Sequence, residues 1–159
     1  MYGNLALDQF SHALSQSHNG RTSQAVELFT RQLPGGPLNG LHKLLGRTRR
    51  QLHHLAQCEQ HSQLNNRRYM GIQSLAVTNI HGTFDRAADF DYDFRSLKQA
   101  DQDRWCRVAS AMLDGVGLPP IEVVQVGEDY FVKDGHHRVS VARALGLRFL
   151  DAVVEVWGE

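Results

Sequence analysis

Apolar and polar residues alternate with a period of two over much of the C-terminal half of the chain. In residues 148–157 the alternation places four apolar side chains on one face: Leu150, Ala152, Val154 and Val156. This pattern predicts a half-buried strand. Residues 119–134 contain two further alternating runs that meet around Gly127, which predicts a β-hairpin. A β-rich run over residues 71–80 predicts another strand, so a small sheet is expected here.

Elsewhere apolar residues recur every three or four positions, which is the period of an α-helix. One such set precedes Gly115, a residue suited to ending the helix: Leu97, Trp105, Val108, Ala109, Met112 and Leu113. Two more sets lie on either side of a break at residues 18–20: Leu7, Phe10 and Leu14, then Ala25, Leu28 and Phe29. A second break at residues 33–40 contains proline and glycine, which interrupt helices. These patterns predict helices in both halves of the chain.

A stripe of leucines predicts a long helix over residues 38–55. The residues on the stripe are Leu38, Leu41, Leu45, Leu52 and Leu55, together with Thr48. Because the stripe spans only about two and a half heptads, an intramolecular helical hairpin is expected, with a dimer contact as the alternative. In this interpretation His53 and His54 lie on the helix surface.

The order of the elements predicts an α+β fold. A small mixed β-sheet with packed helices would occupy residues 67–159, preceded by an N-terminal helical region over residues 1–66. A chain of 159 residues is long enough to bury such a core.

Composition narrows the functional classes only slightly. The 17 basic and 17 acidic residues balance, so the overall field gives no reason to expect nucleic-acid binding. Clustered arginines in mid-sequence (Arg47, Arg49, Arg50, Arg67 and Arg68) nevertheless keep DNA contacts open, beside a solvated helix face. No apolar run approaches the roughly 20 residues of a membrane span, and no secretion signal opens the chain, so a cytoplasmic protein without a membrane partner is expected. Cys58 and Cys106 are too few for a disulfide framework.

The strongest candidate chemistry lies in the sequence Asp-Gly-His-His-Arg at residues 134–138, where a strand is expected to meet a helix running from about Arg138 to Leu145. Unpaired amides of residues 136–139 at the positive end of that helix would attract an anion. Gly135 would allow a tight turn and close approach of a ligand. The same residues would also make a plain helix-capping turn, and both interpretations stay open.

Each polar side chain of this motif suits a phosphate ligand. Arg138 would give forked hydrogen bonds to phosphate oxygens. His136 and His137 would donate hydrogen bonds, shuttle a proton or ligate a metal. Asp134 would orient a histidine or hold Mg²⁺ through water. Changing Arg138 to Ala is then expected to weaken nucleotide binding without unfolding the chain.

The stretch "LPPIEVVQVGEDYFVKDGHHRVSVARALGLRFLDAVV" (residues 118–154) resembles the ParB/sulfiredoxin superfamily, whose fold is often labelled the ParB-like nuclease domain. The resemblance extends back to "LAVTNIHGTFDRAADFD" (residues 75–91) and covers residues 70–157 in all. It implies a pocket for nucleotide phosphates at a Gly-x-x-Arg turn. Different relatives use that pocket for CTP hydrolysis, sulfinic acid reduction, phosphoryl transfer or nucleic-acid cleavage.

On this resemblance the phosphate contacts are Asp134, Gly135, His136, His137 and Arg138, joined by Arg86 from the acidic loop. Catalysis would fall to His136, His137 and Arg138, and Asp134 with Asp85 would serve Mg²⁺. Sulfiredoxins carry cysteine where this chain has His136, so sulfinic acid reduction is not expected.

The expected function is therefore the binding of a nucleoside triphosphate or diphosphate (ATP, ADP or CTP) with Mg²⁺, with hydrolysis or phosphoryl transfer as the reaction. Two alternatives stay open. A metal-dependent ParB-like nuclease would use the same histidines and the acidic loop. A non-catalytic DNA-associated or regulatory adaptor would form a homodimer or bind a partner protein through its N-terminal helices. Whether the chain is an enzyme is not decided by its sequence.

Overall fold

The computed structural model describes residues 20–33, 52–55 and 66–158. Within them the helices are α1 (residues 20–32), α2 (Gln102–Leu113) and α3 (His136–Ala144). The strands are β1 (His53–His54), β2 (Asn66–Ala76), β3 (Ile80–Thr83), β4 (Ile121–Val126), β5 (Asp129–Asp134) and β6 (Phe149–Gly158). Single 3₁₀ turns occupy Val77–Asn79 and Gln99–Asp101. None of the helices in these ranges has the length and apolar character that a membrane span requires.

The six strands form one mixed sheet in the order β1-β3-β5-β4-β6-β2. Strands β1, β3 and β5 run parallel to one another, and β4 runs parallel to β6. The β4-β5 hairpin and the β2-β6 pair are antiparallel. The expected mixed α+β class is therefore confirmed at the level of architecture.

The strands predicted from alternation are present with nearly the predicted bounds. The β4-β5 hairpin turns at Gly127, whose φ is +60°, and β6 alternates between the two faces of the sheet. Ala152 and Val154 lie in the main core, while Trp157 packs on the opposite face. Because successive side chains point to opposite sides, both faces of the central strands are apolar and buried.

Three helices pack together on the face of the sheet that carries α3. Ala25 and Phe29 of α1 are buried against Trp105 of α2, whose ring centroid lies 5.5 Å from that of Phe29. Trp105 Nε1 donates to Ser140 Oγ of α3 at 2.9 Å, which satisfies the buried indole. Cys106 is buried in the same cluster, and burial raises the pKa of its thiol, in agreement with a packing role.

The prediction of a single strand over residues 71–80 is wrong in its bounds. Strand β2 begins at Asn66 and ends at Ala76, a 3₁₀ turn follows, and the chain then enters β3 at a distant position in the sheet. The turn is fixed by the Val77 amide, which donates to the Arg148 carbonyl at 3.0 Å. This segment contains neither proline nor glycine at the turn, so the sequence carries no local signal for the interruption.

The long helix expected over residues 38–55 is also wrong at its C-terminal end. His53 and His54 form β1, which pairs in parallel with Gly82 and Thr83 of β3. A side chain at Gly82 would lie 2.8 Å from the His53 carbonyl oxygen, so glycine permits this close strand contact. Leu52 and Leu55 are buried in two different apolar clusters, which sheet neighbours explain better than a helical stripe.

Several other expectations fall outside the described residues. They include the first apolar set (Leu7, Phe10 and Leu14), most of the leucine stripe, Cys58 and the arginines Arg47, Arg49 and Arg50. Gly20 already belongs to α1, so the break expected at residues 18–20 does not extend through it. Arg67 and Arg68 lie on the exposed strand β2, where the Arg67 guanidinium sits 4.0 Å from the ring centroid of Trp157.

Candidate functional site

The Asp-Gly-His-His-Arg motif forms the junction between β5 and α3. Strand β5 ends at Asp134, Gly135 adopts a left-handed conformation with φ of +95°, and α3 begins at His136. A Cβ at Gly135 would lie 2.6 Å from Ile121 Cγ2, so both conformation and space require glycine here. The helix starts two residues earlier than expected, which brings both histidines into its first turn.

The first turn of α3 offers amide donors to an incoming anion. The Val139 amide donates to the Gly135 carbonyl at 3.0 Å and closes the first helical bond. The Val139 amide is therefore not available to a ligand, although the sequence predicted free amides at residues 136–139. The amides of His136, His137 and Arg138 have no acceptor within the helix. These three amides lie at the positive end of the helix dipole.

The Arg138 side chain forms its hydrogen bonds with other residues of the protein. Its guanidinium donates to the carbonyls of Pro119 and Pro120, the latter at 2.7 Å, and to Asp134 Oδ2 at 2.5 Å. The side chain is only 14% exposed. Arg138 thus connects the segment before β4 to the end of β5 and the start of α3. The Asp134 carboxylate is paired with Arg138 by the same contacts.

His136 is buried beneath the first turn of α3. Its Nε2 lies 2.6 Å from Thr83 Oγ1, and the same hydroxyl accepts from the Arg86 amide at 3.0 Å. The ring stacks on Phe90 with centroids 5.6 Å apart and an interplanar angle of 18°. Burial, reinforced by the nearby positive charge of Arg86, lowers the pKa of His136 to about 4. The imidazole is therefore neutral at pH 7.

His137 is also buried in the first turn of α3. The side chain is 4% exposed, and neither ring nitrogen has a hydrogen-bond partner among the described residues. Asp101 Oδ1 lies 3.9 Å from Nε2, beyond hydrogen-bond distance. Burial lowers the pKa of His137, with Asp101 acting in the opposite direction. A buried, unpaired imidazole is costly, and it marks a place where a further polar group would be favourable.

Arg86 brings positive charge to the two histidines. Its Nε and Nη2 donate to Asp89 Oδ2 at 2.8 and 2.6 Å, and its guanidinium lies 5.4 Å from the Phe90 ring centroid. Lys98 contacts the other oxygen of Asp89. The pKa of Asp89 is lowered, first by the hydrogen bond from Lys98 and also by Arg86, so the Arg86–Asp89–Lys98 group carries a net positive charge.

The acidic loop folds as a turn. The Asp91 carboxylate accepts from the backbone amides of Asp93 and Arg95 at 3.0 and 2.8 Å. Asp85 is exposed, and the Asp134 carboxylate is bound by Arg138. Within the described ranges no three His, Cys, Asp or Glu side chains are grouped so that they could hold a metal ion. A metal ion at Asp134 and Asp85 stays a prediction.

The structure thus brings Arg86 together with His136 and His137, and turns Arg138 and Asp134 toward each other. Sequence reasoning missed Thr83, Phe90 and Lys98, because each acquires its role from a neighbour more than five residues away. The one available signal was the position of Phe90 inside an otherwise acidic loop, where an aromatic side chain indicates that the loop packs inward.

No protein-family model, curated protein or solved structure matches this chain. The function of the site is therefore inferred from its own geometry.

Proposed function

We propose that the chain binds the phosphate groups of a nucleoside diphosphate or triphosphate at the N-terminus of α3, within a ParB/sulfiredoxin-like domain. The observation that carries the proposal is His137, a buried imidazole in the first turn of a helix that has no hydrogen bond to any described residue. A phosphate oxygen reaching this turn would accept from the imidazole and from the free amides together.

The electrostatics of the site favour an anionic ligand. Because both histidines have a lowered pKa, they are neutral donors, and the net positive charge comes from Arg86 and Lys98 around Asp89. Phosphate oxygens carry the complementary charge and several lone pairs, so they would satisfy His137 and the amides of His136 and Arg138 at once.

The residue roles differ from those expected for the motif. Arg138 supports the turn through Pro119, Pro120 and Asp134, whereas Arg86 supplies charge to the ligand. Mg²⁺ commonly binds through substrate phosphates and its own waters with one or two protein carboxylates. The described residues fit this mode, in which the nucleotide brings the ion, better than a site built by the protein alone.

The same geometry supports hydrolysis or transfer of the terminal phosphoryl group. The attacking hydroxyl oxygen would form a bond to the terminal phosphorus while the bond to the bridging oxygen breaks, which releases the nucleotide shortened by one phosphate. The His137 ring nitrogen that does not donate to phosphate would accept the proton of that hydroxyl. Asp101, 3.9 Å from Nε2, would stabilise the imidazolium that results. Positive charge from Arg86 would offset charge on the phosphoryl oxygens.

A thermal-shift panel tests this proposal. ATP, ADP, CTP, GTP and inorganic phosphate are added with and without Mg²⁺ to the wild type, to Arg86→Gln and to the matched variant Arg107→Gln, which changes an exposed arginine on α2. A ligand that binds only the folded state raises the melting temperature. We expect at least one nucleotide to stabilise the wild type and Arg107→Gln, and to lose most of that effect in Arg86→Gln. No shift with any ligand, or equal shifts in all three proteins, would refute phosphate binding here.

A further inference from the structure

A second candidate site lies at the other end of α3. A cavity of about 650 Å³ opens between the C-terminal end of α3, the 3₁₀ turn at Val77–Asn79 and the start of β6. This volume falls within the range of small-molecule sites in proteins. The histidine motif lies at the opposite, N-terminal end of the helix, so the two sites do not share a residue.

The charge around this cavity is positive on one side. The described residues that line it include Arg143 and Arg148 and contain no Asp or Glu. Arg143 is engaged: it donates to the carbonyls of Ile80 and Tyr92 at 2.6 and 3.2 Å, and Asp93 and Asp91 offset its charge. Arg148 has no acidic partner among the described residues, and it is the cation available to a ligand.

The surface beside Arg148 is apolar. Leu147 is 42% exposed and Phe149 is 53% exposed, although both line the cavity. The Arg148 guanidinium lies 5.7 Å from the Phe149 ring centroid, so the cation and the aromatic face are presented together. Such a pairing suits a ligand with a flat apolar body that ends in an anionic group.

We propose that this cavity binds a small planar organic anion, with its carboxylate on Arg148 and its ring against Phe149 and Leu147. The concave shape, with one unpaired cation among the described lining residues, favours a small molecule over a nucleic-acid strand, which would need a run of such cations. The site is independent of phosphate binding at the N-terminus of α3.

Paired probes of equal shape test the proposal. The affinities of 2-naphthoate and the neutral 2-naphthamide are measured by NMR titration on the wild type, Arg148→Gln and Arg86→Gln. We expect naphthoate to bind the wild type and Arg86→Gln at least fivefold more tightly than naphthamide, with shift changes at residues 147–149. In Arg148→Gln the two probes should bind equally.

Two outcomes would overturn the inference. One is the absence of saturable naphthoate binding to the wild type, a comparison that does not depend on any variant folding. The other is an unchanged preference for naphthoate in Arg148→Gln. Because Arg86 lies at the proposed nucleotide site and does not line this cavity, failure here and failure of nucleotide binding are distinguished by the same set of proteins.

Discussion

At the scale of single residues, the motif divides into a structural arginine and two buried histidines. Arg138 resembled a ligand contact in the sequence, yet its guanidinium is held by two backbone carbonyls and Asp134. His136 and His137 looked like loop residues, yet both are buried beneath the first turn of α3. Residue types and spacing predicted the strand-to-helix junction at Gly135, which the structure confirms. They did not predict which donors remain free, because partners such as Pro119 and Thr83 are supplied by other segments.

Changing Arg138 to Ala is therefore expected to destabilise the fold. The change removes charge-assisted hydrogen bonds, and the carbonyls of Pro119 and Pro120 lose their donor. The expected cost is about 2–4 kcal/mol in free energy of unfolding. Urea denaturation of Arg138→Ala beside Arg107→Ala, an exposed arginine on α2, measures the difference. Equal stability of the two variants would contradict the supporting role given to Arg138.

His136 predicts a specific pH dependence of stability. Its pKa is about 4 in the folded protein and near 6.5 in an unfolded chain, so the unfolded state binds more protons between these values. Stability should be complete above pH 6.5 and should fall as the pH drops toward 4, by up to ~3 kcal/mol from this residue.

The matched variant for this effect is His136→Asn, which keeps a polar group beside Thr83 and cannot titrate. Denaturation midpoints at several pH values should fall less steeply in the variant than in the wild type. The lowered pKa of His137 acts in the same direction, so the variant should retain part of the slope. Identical slopes in both proteins would show that His136 does not titrate as described.

At the scale of elements, periodicity predicted the units whose ends are marked by glycine. Helix α2 ends before Gly115, α3 ends before Gly146, and the β4-β5 hairpin turns at Gly127, all with positive φ. The β2-to-β3 interruption and strand β1 were not predictable in this way. The first depends on a backbone hydrogen bond to Arg148, and the second on pairing with β3 from a distant part of the chain.

Gly135 and Gly146 form a matched pair at the two ends of α3. Both have positive φ, +95° and +69°, but a Cβ at Gly146 has no neighbour within 4 Å, whereas one at Gly135 meets Ile121. Gly146→Ala should cost about 1 kcal/mol in free energy of unfolding, from conformation alone. Gly135→Ala should cost more, by roughly 1–3 kcal/mol for the added overlap. Chemical denaturation of both variants measures this, and equal losses would contradict the close packing at the motif.

At the scale of the whole molecule, the described part of the N-terminal half shares its cores with the C-terminal half. Phe29 of α1 packs on Trp105 of α2, and Leu52 lies in the cluster that contains Val139 of α3. The mixed α+β class could be predicted from element order, since runs of strands, including a hairpin, are interrupted by single helices and do not alternate with them one by one. The contacts between the two halves could not be predicted, because apolar periodicity shows which face of an element is buried but not which other element covers it.

Phe29→Ala tests this integration. Removing the buried ring should cost about 3–5 kcal/mol in free energy of unfolding. If the chain unfolds as one unit, the urea midpoint measured by both probes should fall together. Tryptophan fluorescence, measured in a Trp157→Phe background so that it reports Trp105, and circular dichroism are followed together during urea denaturation. Loss of the fluorescence transition alone, with the remaining transition unchanged, would show that α1 is separable from the sheet.

The most direct test of the central claim is a calorimetric titration of the nucleotide that gives the largest thermal shift, into the wild type and into His137→Ala. If phosphate completes the hydrogen bonding of His137, the Kd should rise at least about tenfold in the variant, equivalent to about 1.4 kcal/mol. The variant loses no hydrogen bond to a described residue, but it leaves a space beside Phe90, so circular dichroism confirms that it is folded before the titration. An unchanged Kd in a folded His137→Ala protein would contradict phosphate binding at the start of α3.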